Sequence, residues 1–325
     1  MRGRNRLRRY CYPWAERMQT DISILNPRVL ADISELRAQF VCARPYPHLV
    51  IDNFLDADFA ALLADDFPSF DQGNSIGDDG VPGGKSTLEN ISSLGTAYQR
   101  LDKAISSPEF LRTLSKLTGI EDLIYDPWYL GGGTHESRNG TSLDPHIDAN
   151  YHPVEPWHRR LNVVFHLNRH WEDEWGGCFE LFHDPQSLST ADRHVTPTFN
   201  RCAIFETSER SWHGFSQIRL PPAKANLTRR SIALFFYTLE RPAVETIDRH
   251  TVHYVKRPLP VHLTSGHVLS ASDVACIHDA ISQRDAHIRQ LYDQNAALRN
   301  AQDSGTGGAL LYWAKRAYLR LRLRR

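Results

Sequence analysis

Arg160-Leu161-Asn162-Val163-Val164-Phe165-His166-Leu167 alternates with the period of an extended chain. Leu161, Val163 and Phe165 fall on one side; Asn162, Val164 and His166 fall on the other. An apolar face thus opposes one that carries an amide and an imidazole. The run Arg229-Arg230-Ser231-Ile232-Ala233-Leu234-Phe235-Phe236-Tyr237 has the same texture. Arg229, Ser231 and Ala233 share a face, and Arg230 points the other way.

These two runs sit in a longer β-rich region. From Leu123 onward, short strand-like runs alternate with turns at roughly 10-residue spacing. The candidate strands are 123–130, 132–137, 143–147, 160–167, 176–182, 193–197, 201–206, 212–217 and 229–238. Eight or nine such strands predict a double-sheet jelly roll, mainly β with helical support. The support lies upstream. Residues 26–40 predict a helix with Pro27 in its first turn. Residues 48–54 read as a strand, and Asp56 caps a helix running to about Phe67. Residues 69–85 are rich in Gly, Asp and Ser and read as a mobile surface loop. Two further helices are expected at 94–105 and 107–117.

The organisation that follows is a basic arm and lead-in helix over 1–43 and the β domain over 44–242. A linker over 243–271, a helix over 272–302 and a basic amphipathic tail over 303–325 complete it. In the C-terminal helix, Val274, Ile277, Ile281, Ile288, Leu291 and Leu298 keep a 3-4 rhythm, with Arg284 and Asn295 in the remaining seam positions. Two arrangements are open: a two-stranded coil that makes a homodimer, or a single amphipathic helix docked on the β domain.

The chain has 325 residues, 41% hydrophobic and 23% charged, which excludes wholesale disorder and fibrous repeats. No apolar run approaches the ~18 residues that cross a bilayer. The five cysteines (Cys11, Cys42, Cys178, Cys202 and Cys276) are scattered without a CxxC pair, so a cytoplasmic protein without a disulfide framework is expected. The net charge of zero is uneven. Residues 1–9 and 309–325 hold 11 basic residues and no acid, leaving 27 basic against 38 acidic residues between them. An acidic body argues against nucleic acid as partner. The segment 309–325 mixes cations with Trp313, Tyr318 and leucines, a pattern suited to the surface of an anionic membrane, so a membrane-peripheral location is also expected.

The chemistry centres on Pro145-His146-Ile147-Asp148. On an extended chain His146 and Asp148 face the same way and present an imidazole and a carboxylate to one point. His213, in Ser211-Trp212-His213-Gly214-Phe215, is the candidate third ligand. Two His and one carboxylate on one side of a metal form the facial triad of non-haem Fe(II) oxygenases. Arg229 and Ser231 on a buried strand face suit a carboxylate, because a guanidinium grips both oxygens in a planar fork.

Residues 44–240 resemble the 2-oxoglutarate- and Fe(II)-dependent oxygenases of the prolyl-4-hydroxylase-like type. The motifs that carry the resemblance run in order. They begin with Arg44-Pro45-Tyr46-Pro47-His48, Asp126-Pro127, Gly131-Gly132-Gly133 and His146-Ile147-Asp148. Arg160 to Asn168, Trp171, Trp175-Gly176-Gly177-Cys178-Phe179-Glu180-Leu181 and Pro197 to Arg201 follow. Phe205-Glu206-Thr207, Trp212-His213-Gly214 and Arg229-Arg230-Ser231 close the series. The resemblance implies that His146, Asp148 and His213 are the catalytic iron ligands. It implies that Arg229 pairs with the distal carboxylate of 2-oxoglutarate, with Ser231 assisting. O2 is the second co-substrate, and ascorbate an optional reductant. His166 sits where many relatives carry a Tyr that touches the same carboxylate; it is either a co-substrate ligand or a core histidine. His135 is a weaker candidate for that pocket, and His152, His158 and His183 read as loop residues.

The expected activity is hydroxylation of an unactivated C–H bond with release of succinate and CO2. Halogenating relatives replace the carboxylate ligand with a small residue, and Asp148 is present here. The alternative is a non-catalytic metal-binding or scaffold protein acting through the coil and basic tail. Desaturation and epimerisation use the same residues. The substrate, whether small molecule, peptidyl residue or glycan, has no readable code.

Overall fold

A computed structural model describes residues 24–76, 82–186, 190–260 and 262–303. The basic arm and the basic tail lie outside the described residues. The lead-in comes first. Helix α1 (Pro27–Ala31) is capped by Asn26, whose side chain accepts from the Arg28 N–H. Helix α2 (Ile33–Cys42) follows after a break that divides the single helix expected over 26–40. Asp32 marks the break: its backbone, at φ −97° and ψ 11°, leaves the helical region while the i→i−4 bonds on either side of it persist. Strand β1 (His48–Ile51) leads to helix α3 (Ala57–Asp65), capped by Asp56 as expected. Strands β2 (Asn74–Ile76) and β3 (Pro82–Leu88) come next, then helices α4 (Thr96–Ile105) and α5 (Pro108–Thr118).

The β region then supplies β4 (Ile124–Tyr125), β5 (Gly133–Ser137), β6 (Leu143–Ile147), β7 (His158–His166), β8 (Phe179–Phe182) and β9 (Arg193–Val195). It continues with β10 (Arg201–Glu206), β11 (Trp212–Phe215), β12 (Arg229–Thr238) and β13 (His253–Tyr254). Helix α6 (Ala271–Asp303) closes the described chain.

The strands form two sheets. The larger runs β1-β10-β7-β12-β5-β3-β2, with β4 beside β12; the smaller runs β13-β6-β11-β8-β9. All pairings are antiparallel, giving a double-stranded β-helix. The two faces of the large sheet have different tasks. Leu161, Val163, Phe165, Ile232, Leu234 and Phe236 pack beneath α2–α5 in the main core. The opposite face looks into the space between the sheets, where Tyr46, Phe179, Leu181, Ala203 and Phe205 form a smaller apolar cluster.

Three segments differ from expectation. Residues 69–85, read as a mobile loop, include a hairpin that extends the large sheet through β3 on β5. The strand expected over 123–130 stops at Tyr125 because both oxygens of Asp126 accept backbone N–H groups, from Trp128 and Leu130, and fold a turn. The stretch 243–271, read as linker, carries β13, which adds an edge strand to the small sheet on β6.

Helix α6 spans the expected range. Val274, Ile281, Ile288 and Leu291 are exposed, whereas Ile277 and His287 are partly covered. His287 meets Tyr254 of β13 edge-on, with ring centroids 5.7 Å apart. No helix among the described residues is long and apolar enough to cross a membrane.

Candidate metal and co-substrate site

His146 lies near the end of β6 and His213 near the start of β11, and the ladder pairs them directly. Asp148 comes directly after β6, two residues on from His146, so its side chain returns to the same face. The donor atoms of His146, Asp148 and His213 all lie within 4.8 Å of one another. His146 Nε2 is 3.9 Å from Asp148 Oδ1, and His213 Nε2 is 3.6 Å from Asp148 Oδ2.

The tautomers are set by the backbone. His146 Nδ1 donates to the Asp144 carbonyl at 2.9 Å, and His213 Nδ1 to the Ser211 carbonyl at 2.8 Å. Each histidine uses the carbonyl two residues before it. With the proton held on Nδ1, the Nε2 lone pair faces the shared point. Burial first, and then His146, pushes His213 down to about 3, so it stays a neutral ligand. Burial alone would raise the Asp148 carboxyl. Arg159, with His213, His146 and the Asn162 hydrogen bond, instead holds it well below the usual carboxylate range.

Sequence reasoning missed Arg159 altogether and gave Asn162 a face but no role. Asn162 Nδ2 donates to Asp148 Oδ2 at 2.7 Å, and Arg159 Nη2 reaches the same oxygen at 3.1 Å. Arg159 Nε also donates to Asn162 Oδ1 at 3.0 Å. Strict alternation would pair Arg160 with Asn162. A β-bulge prevents this: Leu161 opposes Phe236 and Arg159 opposes Tyr237, so Arg160 is the extra residue. The bulge turns Arg159 inward and leaves Arg160 to pair with Glu206. No sequence signal marks that bulge.

Arg229 opens β12 and is 5% exposed. Its Nε donates to the Gly177 carbonyl at 2.7 Å, and its guanidinium lies 4.6 Å from the centre of the Phe215 ring. Gly177 adopts φ +66°, and a side chain there would press on Ile218, Trp171 and Arg229 itself. No acid among the described residues forms an ion pair with Arg229, and burial pulls it down to about 10. A buried guanidinium without a carboxylate has the chemistry to receive an external one. Arg230 points the other way, 39% exposed at its side chain and paired with Glu136 at 3.0 Å.

Ser231 lies between His166 on β7 and His135 on β5, one row across the inner face. His166 is fully buried, and neither ring nitrogen has a hydrogen-bond partner among the described residues. Burial, then Arg229 and Arg201, holds it well below the usual histidine range. It is a neutral imidazole beside Arg229. His135 is half-buried on the same row. His152 is in a loop as expected but fully buried. Its Nδ1 accepts from the Val154 and Glu155 N–H groups, and its ring packs on Trp128, Trp157 and Tyr237.

Tyr254 was also missed. It opposes His146 in the ladder, and the two rings are 5.1 Å apart. The run Thr251-Val252-His253-Tyr254-Val255, rich in β-branched and aromatic residues, carried that signal. Beside it a cavity of about 480 Å³ lies between Leu143, Phe215 and Tyr254 on the sheet and Asp279, Ser282 and His287 on α6.

Residues 132–237 match the profile of the 2OG-Fe(II) oxygenase superfamily. This stretch is a 2OG-Fe(II) oxygenase domain. Members of that superfamily use Fe(II), 2-oxoglutarate and O2, and the donors described above fit both groups. His146, His213 and Asp148 are the set a hard-to-borderline divalent ion takes with one side left open, and Arg229 suits the co-substrate's distal carboxylate. Among solved structures, the oxygenase is similar to a prolyl hydroxylase from Trichoplax adhaerens determined with a hypoxia inducible factor peptide. Identity is 15%, over 69% of this chain and 99% of that one, at a TM-score of 0.47. It is similar to a prolyl 4-hydroxylase from Phytophthora capsici at 16% identity, over 91% and 95% of the two chains, with a TM-score of 0.48. HygX from Streptomyces hygroscopicus, determined with nickel and 2-oxoglutarate, is 10% identical over 59% and 82%, at 0.38. No curated protein matches the sequence.

Proposed function

We propose that the oxygenase is a 2-oxoglutarate-dependent hydroxylase that inserts one oxygen atom into an unactivated C–H bond. One observation carries this reading beyond metal binding: Arg229 of the large sheet is buried, without an acid partner among the described residues, with its guanidinium over Phe215 of β11, the small-sheet strand that carries His213. A metal site that served only structure would have no use for a buried, acid-free guanidinium nearby.

When bound, iron and 2-oxoglutarate supply the oxidation, with O2 consumed and succinate and CO2 released. The chain contributes position and a dry chamber. His146 and His213 keep their protons on Nδ1 and present Nε2. Asn162 and Arg159 turn the Asp148 carboxylate toward the two rings. Arg229 fixes the far end of the co-substrate, and the neutral His166 beside it adds polar contact without charge. Phe179 and Phe205 pack against His213 and exclude water from that side. The cavity beneath α6 abuts the site through Tyr254 and Phe215, and its size suits a small polar substrate. The test is to supply Fe(II), 2-oxoglutarate and pooled small polar molecules to the full chain. Succinate should accumulate together with a product heavier by one oxygen atom. Succinate without any such product, across broad pools, would count against hydroxylation.

A further inference from the structure

The segment between β13 and α6 gathers a second set of metal-binding side chains, which the oxygenase reaction does not use. His262 Nε2 lies 2.8 Å from Asp273 Oδ1, and His267 Nε2 lies 3.0 Å from Asp273 Oδ2. The donor atoms of all three residues lie within 4.8 Å of one another. The two rings stand 5.3 Å apart, one on each oxygen of a single carboxylate.

Asp273 also belongs to the start of α6, but the helix end does not need the histidines. Ser270 and Asp273 cap it reciprocally. The Asp273 N–H donates to Ser270 Oγ at 3.2 Å, and the Ser270 N–H donates to Asp273 Oδ2 at 2.9 Å. That box is complete with hydroxyl and carboxylate alone. Two imidazoles, five residues apart, nevertheless converge through Nε2 on the same group. Their geometry is close to that of a filled shell. In a tetrahedral site with bonds of about 2.0–2.1 Å, neighbouring donors stand roughly 3.3 Å apart. The two N···O separations, one on each carboxylate oxygen, need to open by only a few tenths of an ångström, and the donor atoms of all three residues already lie within 4.8 Å of one another. His262 is 55% exposed at its side chain, so water has room to complete the shell.

We propose that His262, His267 and Asp273 form a second divalent-cation site, suited to zinc, that fastens the segment before α6 to the helix's first turn. Two imidazole nitrogens and one carboxylate oxygen are borderline donors that zinc accepts in tetrahedral geometry. With the ion bound through both Nε2 atoms, each ring carries its proton on Nδ1. Asp273 meets part of the ion's charge. The site holds the helix whose His287 reaches Tyr254, and so steadies one wall of the cavity beside the catalytic metal.

The test uses the full chain with His146→Ala and His213→Ala, which silences the catalytic ligands. Zn(II) is titrated against a chromophoric chelator. One equivalent should bind and should be lost on adding His262→Ala and His267→Ala, with helix content retained by circular dichroism. As a second measurement, the otherwise native chain is titrated with Co(II). Two equivalents should fall to one in the His262→Ala, His267→Ala variant. Absence of zinc binding in the first chain, or binding that survives removal of His262 and His267, overturns the site.

Discussion

Asn162 donates from Nδ2 to Oδ2 of Asp148 across 2.7 Å, and this bond turns the carboxylate toward His146 and His213. Partners of metal ligands commonly matter ~10- to 100-fold in metal affinity. Asn162→Ala should therefore weaken Fe(II) binding by about that factor while leaving the fold intact. Equilibrium dialysis with Fe(II) under anaerobic conditions measures it. Unchanged affinity would mean that Arg159 alone orients Asp148.

Strand parity separates two adjacent arginines. Arg229 faces inward without an acid, and Arg230 faces outward onto Glu136. Arg229→Ala should raise the 2-oxoglutarate requirement by roughly 30- to 1,000-fold, the equivalent of about 2–4 kcal/mol for losing the charged partner of a buried carboxylate. Arg230→Ala should leave it within about twofold, since Arg230 pairs with Glu136 on the opposite face of the strand from Arg229. Steady-state titration of 2-oxoglutarate compares the two.

Acid should destabilise the metal-free protein in a defined window. His213 is pushed down to about 3 and His166 well below the usual range, burial being the largest cause for both. The unfolded chain takes up protons at these positions near pH 6.5, while the native chain does not. Stability is therefore whole above about pH 6.5 and falls as pH drops below it, by up to ~1.4 kcal/mol per pH unit for each group. For Asp148, whose carboxyl is depressed, the loss begins only below about pH 4. Urea unfolding at pH 7.5, 6.5 and 5.5 should show the decline. His166→Leu should flatten it by about one group's share.

Val274, Ile281 and Ile288 recur every seven residues along α6 and stay exposed, with Leu291 beside them. We propose that this stripe pairs with the same stripe of a second copy, while the face that carries Asp279, Ser282 and Ala286 stays turned to the cavity. Sedimentation of the full chain at tens of micromolar should give a dimer, and Ile281→Glu with Ile288→Glu a monomer. A native chain that sediments as a monomer rules the pairing out.

How far the sequence could be read depended on how local each signal was. Alternation alone put Asn162 with His166 on one strand face and Arg229 with Ser231 on another, because a strand fixes side-chain direction residue by residue. His146, Asp148 and His213 were legible through spacing and ordered motifs. Arg159 was not, because one extra residue at Arg160 inverts the parity beyond it, and a bulge leaves no compositional mark. Tyr254 was obscured for a different reason. Its two-residue strand is stabilised by an edge supplied by β6, more than a hundred residues earlier. Likewise the polar run 69–85 looked loop-like, yet β5 offers its β3 portion a free edge to pair with.

The central claim is that His146, Asp148 and His213 hold the iron that couples 2-oxoglutarate to oxidation, and succinate release tests it most directly. The native chain, supplied with Fe(II), 2-oxoglutarate and O2, should convert 2-oxoglutarate to succinate, faster when substrate is present. Asp148→Ala should reduce that conversion to background, with the fold verified by circular dichroism. Full succinate production by the Asp148→Ala chain would contradict the account.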